Sequence, residues 1–172
     1  MLYDLLLHTA AAHPDKLAVI CGEKRYDYRQ FKDRVDRLAS GLRSLNIQKN
    51  ERIAVIHKNC HRYLEIYFAS AKIGAILVPI NYRLSVEDFI FILDNSQARL
   101  LITQPDLVPP LLEGKDVLPH LERIIYTNTG TDSAAESFVD PSKLQGSDER
   151  NLDYESLVKR AFAAESGGTT ID

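Results

Sequence analysis

Little in this sequence suits a crosslinked, membrane-spanning or nucleic-acid-binding protein. Its two cysteines, Cys21 and Cys60, form no C-x-x-C pair. That excludes a disulfide framework and fits a reducing, cytoplasmic compartment. No apolar run approaches the roughly 20 residues that cross a bilayer. The opening residues, Met1 to His8, are apolar but lack a basic start and carry Asp4 and His8, so no signal peptide is expected. A formal net charge of −3 supplies no general attraction to nucleic acid or anionic lipid. Glycine-rich turns are missing too, which argues against a dinucleotide fingerprint or a P-loop.

What remains is an ordinary globular composition: 172 residues, 45% apolar and 26% charged. That is room for one domain, or one domain and a tail, with a core that needs no metal.

The periodicities predict a series of elements. Leu2, Leu5, Leu6 and Ala10 share one face of a short helix that Pro14 closes. Leu17 to Cys21 and Lys24 to Tyr28 read as a β-hairpin, with Gly22 first in a two-residue loop of type II′. Asp27-Tyr28-Arg29-Gln30 is a capping box for a helix carrying Phe31, Val35, Leu38, Ala39, Leu42 and Leu45 on its apolar face. Arg29, Lys32, Asp33, Asp36, Arg37 and Arg43 fall opposite, mixed in sign, as a solvated surface. Asn46 should end this helix in a left-handed conformation.

From Arg52 onward four apolar runs begin about 23 residues apart, at Ile53, Ile76, Arg99 and Glu122. Between them lie two helical patterns. One carries Leu64, Tyr67, Phe68 and Ala71, with Asn59 as N-cap and Gly74 as stop. The other carries Phe89, Ile92 and Leu93 behind a Ser85–Asp88 capping box. The proline-bearing third crossover, Asp106 to His120, is less regular. Strands alternating with helices imply an α/β fold: a mostly parallel, doubly wound sheet with helices on both faces, plus the short N-terminal β-hairpin. Residues 1–127 are read as the α/β unit. Residues 128–172 are read as a polar connecting segment with a short helix over Asp153 to Ala164 (Leu157, Val158, Ala161 and Phe162 on one face) and a frayed end.

Open α/β sheets bind ligands beyond the carboxyl ends of their strands. Here those positions are His57-Lys58-Asn59, Asn81-Tyr82-Arg83, Thr103-Gln104-Pro105 and Thr127-Asn128. No carboxylates cluster there, so neither a phosphoacceptor site nor a Mg²⁺ site is expected. His57 and His61 lack a third metal ligand. Cys60, near a helix start, is either a thiol of lowered pKa or, more simply, a plain packed or exposed one. Ser166 to Thr170 has the composition of a phosphate loop but follows a helix and carries no lysine.

Several segments, in this order and spacing, resemble the start of the AMP-forming acyl-CoA synthetases, the acyl-adenylate-forming superfamily. They are His13-Pro14-Asp15-Lys16-Leu17-Ala18-Val19, Tyr28-Arg29-Gln30-Phe31 with Arg37-Leu38-Ala39, and Asn50-Glu51-Arg52-Ile53-Ala54-Val55. Lys58-Asn59-Cys60, Ala71-Lys72-Ile73-Gly74-Ala75 and Val78-Pro79-Ile80-Asn81-Tyr82-Arg83-Leu84 follow. The resemblance covers about residues 1 to 127. Asp27, Gln30, Asn46 and Asn50 depart from the family's commoner residues; both asparagines suit positive φ.

The resemblance implies a ligase that joins a carboxylate to ATP and passes the acyl group to CoA, with Mg²⁺ assisting. It also implies that the family's phosphate loop, ribose-binding acid and catalytic lysine lie beyond this stretch, so the chain is expected to be an inactive N-terminal fragment that binds no cofactor by itself. In some relatives the arginine two positions past the Pro-x-Asn turn touches a CoA phosphate; that residue is Arg83, whose plainer reading is a locally paired surface arginine. Asn81 reads as a turn residue. A fatty acid is favoured over an aryl acid. The face meeting the rest of such an enzyme should be apolar and drive self-association, which a monodisperse monomer would count against. The alternative is a stand-alone α/β binding module derived from such an enzyme; a flavodoxin-like carrier would show flavin colour.

Overall fold

A computed structural model describes residues 2–105, 107, 118–127 and 151–159. Helix α1 (Leu2–Ala12) leads to the antiparallel hairpin β1 (Leu17–Cys21) and β2 (Lys24–Asp27), followed by α2 (Tyr28–Ser44). Then come β3 (Arg52–Ile56), α3 (His61–Ile73), β4 (Ile76–Ile80), α4 (Val86–Ser96), β5 (Leu100–Thr103), β6 (Arg123–Tyr126) and β7 (Asn151–Asp153). Residues 154–159 are helical.

The five strands β3 to β7 form one parallel sheet in the order β4-β3-β5-β6-β7. Each of the four expected strands starts within one residue of its forecast position. The order matches the flavodoxin-like doubly wound arrangement. Alternate strand residues serve two cores. Ile53, Val55, Leu100, Ile102 and Ile125 meet α2 and α3, while Ala54, Ile56, Leu101 and Ile124 meet Phe89 and Leu93 of α4. Reversal of winding after β4 explains the change of face, because each crossover stays right-handed.

Local chemistry sets the element ends. At α2, Asp27 Oδ1 accepts from Gln30 N–H at 2.7 Å and Gln30 Oε1 accepts from Asp27 N–H at 3.0 Å, the expected capping box. Its other end is a Schellman turn: Ile47 N–H reaches Leu42 O, Asn46 N–H reaches Arg43 O, and Asn46 has φ 63°. Asn50 (φ 68°) is left-handed as well. Gly22 has φ 57° while Glu23 does not turn positive, as a II′ loop requires. Gly74 (φ 75°) stops α3, and Ser85 with Asp88 caps α4.

Four expectations need correction. The N-cap of α3 is Cys60, not Asn59, and its side chain makes no capping bond. The buried stripe of α3 is not Leu64–Tyr67–Phe68–Ala71. Leu64 is 44% exposed, while Arg62, Glu65, Ile66, Ala69, Ser70 and Ile73 are buried. The helix is rotated because its charged residues have buried partners. On α1, Leu6 and Ala10 are buried but Leu2 and Leu5 are exposed, since α2 and α3 cover only one narrow side. On α2, Asp36 is not a free surface acid: Tyr3 OH, Lys32 and Lys72 donate to it.

The strand Asn151–Asp153 was not anticipated, and it extends the sheet past residue 127. Leu157 and Val158 are buried as expected of a helix there, whereas Ala161, Phe162, the segment 128–150 and Ser166 to Thr170 lie outside the described residues.

Candidate functional site

Winding reverses between β3 and β5. The chain leaving β3 enters α3 on one face, and the chain leaving β5 returns through Leu118 and Leu121 on the other. Such a crevice is where open sheets take ligands. Because paired residues of parallel strands share a level, Ile56, Thr103, Tyr126 and Asp153 end their strands side by side. The residues just beyond form a polar seam.

His57 is the centre of that seam. It is buried, with Nδ1 2.5 Å from Lys58 O and Nε2 2.8 Å from Thr127 Oγ1. A ring protonated at Nδ1 donates to the carbonyl and accepts the threonine O–H at Nε2, which satisfies both contacts. Thr127 Oγ1 also lies 3.3 Å from Thr103 O, and Thr127 N–H donates to the same carbonyl. Lys58 N–H donates to Gln104 Oε1 at 3.0 Å, tying the β3 and β5 exits together. The Cys60 thiol is 3.7 Å from His57 Nδ1. Burial pushes that thiol up despite the backbone N–H groups of Tyr63 and Arg62, so it is not an activated nucleophile.

Arg83 stands exposed past the end of β4, its guanidinium 5.3 Å from the centre of the Tyr82 ring. Arg83 N–H donates to Asn81 Oδ1 at 3.1 Å, so Asn81 shapes the turn that presents Arg83, as its position after Pro79 suggested.

Behind α3 lies a cluster that sequence reasoning missed. Arg34 of α2 grips Glu65 of α3 through Nε (2.6 Å) and Nη2 (3.1 Å), and Nη2 also reaches Glu155 Oε1 at 3.2 Å. Arg62 Nε donates to Glu155 Oε1 at 2.8 Å, and Tyr154 O–H donates to Glu65 Oε2 at 2.8 Å. Two guanidiniums and two carboxylates thus cancel in a buried space beside the Tyr26 ring. Burial pushes the Glu65 carboxyl up, and Arg34 and Tyr154 do not fully reverse it. Burial acts on Glu155 in the same sense, but Arg34 and Arg62 together hold it below the usual carboxylate range. A signal was present: Arg34 falls three residues after Phe31 and four before Leu38, on the core-facing stripe of α2.

Among the described residues no group of three or more His, Cys, Asp or Glu is arranged for a metal ion, and no helix is long and apolar enough to cross a membrane. Neither the polar seam nor Arg83 therefore fits Mg²⁺. An exposed guanidinium at a strand end does fit a phosphate.

Comparison with known proteins gives this geometry a context. A peroxisomal butyrate–CoA ligase of Arabidopsis thaliana is 28% identical over 171 residues, covering 96% of this chain but 28% of its own length. A crotonobetaine/carnitine–CoA ligase of Escherichia coli is 38% identical over 105 residues, 58% of this chain and 20% of its own. The fold matches a Rhodopseudomonas palustris chain assigned as a long-chain-fatty-acid CoA ligase, with TM-score 0.70 and 27% identity over 91% of this chain and 35% of that one. The chain therefore spans between a fifth and about a third of the proteins it matches. The model of the family described as AMP-binding enzyme matches residues 6–164. A match across nearly the whole chain, on a sheet with the corresponding fold, means that this protein belongs to the AMP-binding enzyme family.

Proposed function

We propose that this chain is the N-terminal α/β part of an AMP-forming acid–CoA ligase. The parent activity is formation of an acyl adenylate from a carboxylate and ATP, then of a thioester with CoA, with a fatty acid as the acyl donor. The observation that carries this reading is the family match over residues 6–164. Relatives named for butyrate and for crotonobetaine or carnitine favour an aliphatic acid. In this reading the unit builds one wall of the acyl and CoA region. Adenylation chemistry, with its demand for phosphate clamps and Mg²⁺, falls to the remainder of a full-length ligase.

Arg83 is the residue of this unit that meets a CoA phosphate. Its exposure, its place at the carboxyl edge and the Asn81 turn that holds it support that role. Titration of the full-length ligase with CoA by calorimetry tests it. Arg83→Ala should weaken binding about tenfold, the loss of one charge-assisted contact of about 1.4 kcal/mol. Equal affinities in the two proteins would remove Arg83 from the site.

A further inference from the structure

The segment 151–159 is attached to the rest of the fold in an unusual way. Its strand, β7, is three residues long and, among the described residues, pairs with β6 and no other strand. Three residue pairs make a short, weak ladder. Its apolar contribution to the core is Tyr154, Leu157 and Val158, with Leu152 packed against them in part. Among the described residues its side-chain polar contacts with the body come from two neighbours: Tyr154 on Glu65, and Glu155 on both Arg34 and Arg62. Asp153 Oδ1, by contrast, caps the segment itself by accepting Ser156 N–H at 2.7 Å.

We infer that 151–159 is a docking strap, latched onto the α2–α3 face by the Arg34–Glu65–Glu155–Arg62 cluster and able to release while the body from α1 to β6 stays folded. With the strap docked, each carboxylate has an arginine and each arginine a carboxylate. Without Glu155, Arg34 keeps Glu65, but Arg62 loses the carboxylate it shares with the strap. A buried pair broken on one side is strongly destabilising, whereas removing both partners is close to neutral. The polar part of the strap's attachment therefore turns on one residue, Glu155, while Tyr154, Leu157 and Val158 supply the apolar part. The sheet strands β3 and β5, each flanked on both sides, have no such dependence. Segments that open apart from the global core are a general feature of folded proteins, drawn from the least supported elements.

Hydrogen exchange of the 172-residue chain, read by mass spectrometry along a series of sub-denaturing urea concentrations, tests this. In the wild-type chain, peptides covering 151–159 should open at lower urea than peptides covering β3 and β5. In Glu155→Gln, exchange over 151–159 should rise about tenfold or more while β3 and β5 keep wild-type rates. The double variant Glu155→Gln/Arg62→Gln should regain most of the lost protection. Two results would overturn the inference. One is opening of 151–159 only together with β3 and β5 in the wild-type chain. The other is a double variant no better protected than the single one.

Discussion

A Cβ at Gly41 would stand 2.6 Å from Leu157 Cγ, closer than packed carbons approach. Glycine at this point of α2 is therefore a packing requirement, and it lets the 154–159 helix lie against α2. Gly41→Ala should cost about 1–3 kcal/mol by overpacking. Leu157→Ala in the same background should recover part of that loss, because it removes the clashing atoms. Urea midpoints of the three proteins measure this. Residue-level features with local causes were legible in the sequence: the Asp27–Gln30 box, Asn46 and Asn50 at positive φ, and the Asn81 turn. Gly41 was not, because its reason is a residue more than a hundred positions away. The seam of His57 and Thr127 could be placed at strand ends but not paired from sequence, since the pairing depends on strand order.

At the scale of elements, α3 shows where periodicity misleads. Its apolar residues Leu64, Tyr67, Phe68 and Ala71 have helical spacing, yet the buried face runs through Arg62, Glu65, Ile66 and Ala69. Arginine and glutamate are counted as surface residues unless their partners are known. Here those partners are Arg34 on α2 and Glu155 near the far end of the described chain. The orientation predicts opposite outcomes for neighbouring substitutions. Ile66→Ala should cost about 2–5 kcal/mol, and Leu64→Ser should stay within about 0.5 kcal/mol of wild type. Equal losses in chemical denaturation would return α3 to the face that the apolar pattern suggests. The strands were legible because β3, β5 and β6 are almost continuously apolar and evenly spaced. Strand β7 was not, having one large apolar residue, Leu152, in three.

For the whole molecule, carboxylates held in place by cations make stability depend on pH. Burial alone would raise the Asp36 carboxyl, but donors from Lys32, Lys72 and Tyr3 outweigh it and hold it low. Desolvation would raise Glu51, but Gln48 N–H and Arg99 together outweigh it and hold the carboxyl low, as Arg34 and Arg62 do for Glu155. Groups lowered on folding stabilise above the ordinary carboxylate range, and that stability fades as pH falls through their folded values. Glu65, raised by burial, acts in the opposite sense and softens the slope. Three lowered groups against one raised group give a chain whose urea midpoint should drop from pH 7 to pH 3, with a shallower drop in Asp36→Asn. A flat profile would mean that these contacts do not persist in solution.

In the division of labour proposed above, this unit supplies fold and a CoA contact, and the adenylation chemistry falls to the remainder of a full-length ligase. Pyrophosphate release tests that division most directly, with the purified chain, ATP, Mg²⁺ and a panel of short-chain, long-chain and aryl acids. The account predicts no release above the protein-free blank for any acid. Release that rises with chain concentration and depends on the added acid would contradict it.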